Sequence, residues 1–240
     1  MTTLATPATP AKNDVAVQVN AWAKPVPVQG GHGAEAGVQT RVDLGPVSFQ
    51  DRVVGYGQLT EDQLLVRGEK SAAVTAGPVE VGGRVRSTAT VQVGKVAGES
   101  RVSGTVAAGP VELDAAAETR ASVGVNGVRA GGNASASVAA GPVELGAKAS
   151  AAAGVGPTGV DATATVGGTA NVGSAAIGGS LSGAAHITGH GVTLRAGTTA
   201  DAKLGGRSIS LAASGSVRVD GHFPFLHVDG SISLTTAKAT

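Results

Sequence analysis

The chain has no cysteine, which excludes disulfide staples, thiol catalysis and thiolate metal sites. Aromatic residues make up 2% of it, so the rings that usually dominate a core are missing and apolar packing falls to aliphatic and small side chains. No run of about 18 apolar residues occurs, and no transmembrane helix is expected. Met1–Pro10 lacks both a basic start and an apolar stretch, so no signal peptide is expected, and an extracellular location would require a leaderless route. The formal net charge is +1, and no Lys/Arg cluster interleaved with aromatics is present, which argues against a nucleic-acid partner. Gly-x-Ser-x-Gly, His-Glu-x-x-His and Walker sequences are also absent. The expectation is therefore a chain with no catalytic residues and no cofactor.

What the chain does have is punctuation. Gly-Pro-Val begins at Gly45, Gly77, Gly109 and Gly141, each 32 residues after the last. Halfway between later copies stand other turn signals, among them Val125-Asn126-Gly127-Val128, Gly156-Pro157-Thr158-Gly159 and Gly189-His190-Gly191. The chain thus reverses about every 16 residues, and each repeat holds two reversals. Gly-Pro between Ala108 and Val111, and between Ala140 and Val143, reads as a type II′ two-residue loop; Asn126-Gly127 reads as a type I′ loop with positive φ at both residues. Two residues can join neighbouring strands about 4.8 Å apart, but not opposite walls about 10 Å apart. An antiparallel meander is therefore favoured over a solenoid.

Side-chain parity agrees. After Gly109-Pro110 the apolar or small residues are odd-numbered (Val111, Leu113, Ala115, Ala117, Ala121, Val123), and past Asn126-Gly127 they are even (Val128, Ala130, Ala134, Ala136, Val138). A two-residue hairpin requires that flip if one face is to stay on one side of the sheet. The fold expected is an all-β, up-and-down antiparallel meander of about 14 long strands with a 32-residue, two-strand repeat, each strand of about 11 to 13 residues spanning about 40 Å. Residues 14–240 form one repeat domain behind a disordered tail, 1–13. Large aliphatics lie near strand ends and alanines in the middle, which gives a shallow apolar face. A cylinder of that many strands lined with alanine would be hollow. The sheet is therefore expected to close as a flattened roll or barrel, or to stack, and the free edge segments Val15–Ala21 and Val228–Leu234 to pair within or between chains.

Several residues stand out. Phe223 and Phe225 point to the polar side of the last strand and form a candidate partner patch, while Pro25, Pro27 and Pro224 read as guards against edge pairing. His190 and His222 are 32 residues apart, with His186 near and His32 at an equivalent turn if the sheet ends meet. Two strands of separation, about 9 to 10 Å, is wide for one ion, so no metal site is expected. Glu80, Glu112 and Glu144 recur with the period as a sparse acidic row. Asp51 and Lys70 fall on the apolar parity, where a mutual ion pair near the rim is expected.

The run Gly141-Pro142-Val143-Glu144-Leu145 through Val160 resembles the Ala/Gly/Ser-rich alternating repeats of bacterial secreted and polymorphic-toxin proteins. That resemblance implies a place beside delivery and toxin domains, neither of which this sequence contains, and so a stand-alone structural or carrier role. The function expected is a non-enzymatic structural scaffold whose partner is itself. The alternatives are a membrane-inserting β-barrel pore or delivered toxin-carrier module, for which aromatic girdles are missing, and a surface binder, of ice for example, for which Thr-x-Thr rows do not recur.

Overall fold

The computed structural model describes residues 15–204, 206–220 and 226–238; the amino-terminal tail, His222, Phe223, Pro224 and Phe225 lie outside the described residues. All described elements are strands: β1 (Val15–Val28), β2 (Gly31–Leu44), β3 (Val47–Thr60), β4 (Gln63–Ala76), β5 (Val79–Gln92), β6 (Lys95–Ala108), β7 (Val111–Gly124), β8 (Gly127–Ala140), β9 (Val143–Gly156), β10 (Gly159–Val172), β11 (Ala175–Thr188), β12 (Gly191–Leu204), β13 (Arg207–Asp220) and β14 (Leu226–Lys238). They form one 14-stranded antiparallel sheet in sequence order. Thirteen of the strands have 14 residues, longer than the alternation alone suggested, because the ladder continues through the glycines and polar residues that border each turn. Each is about 46 Å long at the usual rise. The sheet does not close: β1 and β14 stand at opposite edges and do not pair with one another, so the expected roll or barrel is not formed and Val15–Ala21 does not meet Val228–Leu234 within the chain.

The turns explain the regularity. Gly45, Gly77, Gly109, Gly141 and Gly173 each open a two-residue turn with φ between 56° and 60°, a conformation that costs a residue with a Cβ but not glycine. Proline follows in four of the five, at the position whose N–H the turn does not use. Successive turns on this rim are bonded to one another: the N–H of Gly77 donates to the Pro46 carbonyl at 3.4 Å, Gly109 to Pro78 at 3.4 Å, Gly141 to Pro110 at 3.3 Å and Gly173 to Pro142 at 3.0 Å.

On the opposite rim the expected Asn126-Gly127 loop is corrected by one residue. The turn is Val125-Asn126, because Gly124 lies opposite Gly127 and Val123 opposite Val128. Gly127 takes φ 110° and among the described residues no non-glycine has positive φ, so the turn is not type I′. The ladders to β6 and β9 hold β7 and β8 in the 16-residue step, and that step outweighs the local preference of Asn-Gly.

The prolines of β1 fit the ladder. A two-residue hairpin closes on a pair that exchanges hydrogen bonds, and such pairs then alternate. Val28 and Gly31 close the first hairpin, so Pro25 and Pro27 fall at the alternate positions, whose N–H would point to the open edge. They remove no bond to β2 and shorten the exposed donor row.

Candidate interaction surfaces

Register divides the side chains between two faces. On the first, rows run across the sheet at right angles to the strands. One rim row reads Leu59, Leu64, Val91, Val96, Val123, Val128, Val155, Val160, Ile187, Val192, Val219, Leu226. Near the other rim a second row holds Phe49, Val74, Val81, Val106, Leu113, Val138 and Leu145. Between them the rows are small: Ala115, Ala117, Thr119 and Ala121 on β7 face Ala136, Ala134, Gly132 and Ala130 on β8, which face Ala147, Ala149, Ala151 and Ala153 on β9. Among the described residues no hydrophobic side chain is buried; Val123 and Val128 are 55% and 48% exposed. This sheet has an apolar face and no core beneath it.

Charge on that face is confined to its flanks. Asp51 lies on β3 opposite Thr40 and Ala72, and Lys70 on β4 opposite Val53 and Val85. The ion pair expected between them is not among those formed by the described residues: the two sit two residues out of register. Arg207 on β13 is level with Leu204 at the rim. From β5 to β12 the apolar face carries no charged residue.

The second face is polar and has its own order. Trp22 donates its indole N–H to Glu35 at 2.9 Å, Lys24 approaches the same carboxylate at 3.4 Å, and the Arg52 guanidinium lies 5.5 Å from the Trp22 ring centre, a cation–π distance. The Trp22 hydrogen bond, with Lys24 and Arg52 behind it, holds the Glu35 carboxyl below its ordinary range despite some desolvation. Glu69 on β4 receives Arg86 at 2.7 Å and Arg84 at 3.2 Å from β5; the Arg86 hydrogen bond and then the nearby guanidinium charges lower its pKa as well. Farther along, Arg120 contacts Glu118 and, at 3.8 Å, Glu99. A hollow of about 540 Å³ opens here, lined by Arg120, Arg129, Gly131, Asn133, Ser150 and Thr163 among others. Beyond β9 hydroxyl pairs join the charges, with Ser180 and Thr199 at 2.8 Å, Ser214 and Ser231 at 2.8 Å, and Arg218 on Asp220 at 2.8 Å.

These contacts were legible once the turns were placed, since each hairpin fixes which residues are mirror partners. Trp22–Glu35 and Glu69–Arg86 were missed because the strand parity was read for its apolar set and not for its charges.

The remaining candidates do not converge. His190 occupies the β11–β12 turn, where its backbone N–H donates to the Thr188 hydroxyl at 3.2 Å. His186 pairs with Asp161 on the neighbouring strand. His32 is on β2, far across the open sheet, so the rim histidines do not meet. Glu80, Glu112 and Glu144 share one row, separated by Ala107 and Ala139, and Glu144 accepts from Asn171 at 3.4 Å. Among the described residues no three His, Asp or Glu side chains are grouped to hold a metal ion, and no helix is long and apolar enough to cross a membrane. The Phe223 and Phe225 patch lies outside the described residues. No protein family, curated protein or solved structure matches this chain.

Proposed function

We propose that this chain is a non-enzymatic structural protein that self-associates through its apolar face. The observation that carries the reading is that face itself: an apolar surface free of charge from β5 to β12, with no buried hydrophobic side chain among the described residues. A single layer in water has almost nothing to set against the roughly 1–2 kcal/mol of backbone entropy lost per ordered residue, so a cover is needed for the sheet to persist. The cover has to be as flat, as long and as apolar as the face, and a second copy meets all three conditions. Lipid is the competing cover. Against it, open sheet edges leave N–H and C=O groups unpaired, which hydrocarbon does not tolerate, and Lys70 at the middle of a strand would cost about 2–4 kcal/mol facing lipid.

Sedimentation velocity of the full chain, with and without phosphatidylcholine/phosphatidylglycerol vesicles, tests the reading. Dimers or larger assemblies that ignore vesicles support it. A folded monomer, or co-sedimentation with leakage of a trapped dye, overturns it.

A further inference from the structure

Resting on that self-association, we infer that two copies dock in a staggered arrangement, with the aliphatic rim of each in the alanine basin of the other. The basin is the patch of twelve small residues over β7 to β9, from the Ala115 row to the Ala121 row, all alanine except Thr119 and Gly132. It is about 20 Å long along the strands and about 10 Å between the outer strands. Leu113, Val138 and Leu145 bound one end, and Val123, Val128 and Val155 the other. Val102 on β6 and Val166 on β10 flank the Ala117 row.

The profile decides the register. If two copies met with their basins aligned, rim residues would meet rim residues and hold the sheets at the usual separation of about 10 Å. The alanines between would then face a void, losing contacts on both sides. A displacement of four residues from that alignment, about 13 Å along the strands, fills the void over β7 to β9. Two sheets related by a twofold axis lying across the strands then place the Val123, Val128 and Val155 row of each over the Ala117, Ala134 and Ala149 row of the other, and the arrangement is self-complementary. The charge-free span from β5 to β12 sets its width; the alanine fit is confined to β7 to β9, and on either side the same stagger sets Val96 against Val102 and Val160 against Val166. Eight strands by the four overlapping rows cover roughly 1,000 Å² per copy, above the roughly 800 Å² per partner of a standard stable interface. Asp51, Lys70 and Arg207 fall outside the contact.

Because the natural chain has no cysteine, oxidative cross-linking reads the register directly. Val128→Cys and Ala134→Cys are prepared separately, mixed and oxidised. The staggered arrangement predicts a disulfide-linked dimer in the mixture at least tenfold above either variant alone. Ala134→Cys cross-linking to itself, or no excess in the mixture while sedimentation shows assembled protein, overturns the stagger and leaves self-association standing; a monomer at all concentrations overturns both. Ala134→Leu gives a second measure that needs no thiol. Filling the basin should weaken the dimer at least tenfold in Kd, whereas tighter or unchanged association would mean that the basins face one another across a void and the inference is wrong.

Discussion

The backbone N–H of Gly109 donates to the carbonyl of Pro78 at 3.4 Å, joining the turn of one hairpin to the turn of the one before it. The same bond recurs from Gly77 to Pro46 and from Gly141 to Pro110, so this rim is a continuous chain of turns. A glycine there serves two ends at once: it supplies the positive φ and places the donor.

Gly109→Val should therefore destabilise the sheet by at least about 1–2 kcal/mol, the scale of the Cβ penalty at positive φ. Gly57→Val is the control, since Gly57 is not among the positive-φ glycines and a Cβ there meets nothing within 4 Å. Urea unfolding of both variants should show the loss in Gly109→Val alone. Equal stability would mean that the turn does not constrain the chain.

Stability should depend on protein concentration. If the apolar face is covered by a second copy, folding and association are linked by mass action, and the melting temperature should rise as concentration increases. Val123→Lys combined with Val128→Lys should abolish that rise and lower the melting temperature at every concentration. A melting temperature independent of concentration in the natural protein counts against a cover made of a second copy.

Glu35 and Glu69 make acid sensitivity specific. Both carboxyls lie below their ordinary range in the folded protein. Their contribution to stability is therefore complete above the unfolded carboxylate pKa of about 4.3 and is lost as pH falls through the depressed folded values. Unfolding measured from pH 7 down to pH 2 should show a smaller loss in Glu69→Gln than in the natural chain. Trp22 is the one tryptophan and donates to Glu35, so its fluorescence should titrate at acid pH and cease to do so in Glu35→Gln. A Trp22 signal flat over the whole range would mean that the Trp22–Glu35 bond does not form in solution.

The edges give the last test. β14 carries no proline from Leu226 to Lys238, whereas β1 is blunted at Pro25 and Pro27. Deleting residues 226–240 exposes β13 and removes one ladder, and the truncated chain should differ from the full one in melting temperature or in sedimentation. Identical behaviour would show that β14 adds nothing to the sheet.

How the fold was read from sequence follows from the turns. Gly45, Gly77, Gly109 and Gly141 set the period, and the parity flip between Val123 and Val128 set the faces. Both are local properties, because a two-residue loop permits only one relation between its flanking residues. The exact turn was not local. Asn126-Gly127 has the stronger hairpin preference, and the chain turns at Val125-Asn126 because β6 and β9 fix the register from both sides.

The sequence by itself determined the strand count, the antiparallel order and the separation of apolar from polar positions, since all three follow from turn spacing and alternation. Only the tertiary structure decided that β1 and β14 stay apart and that the eighth strand begins at Gly127, with the turn at Val125-Asn126. Those depend on register and on the path of the whole sheet, which sum small choices over fourteen strands and which no single turn encodes.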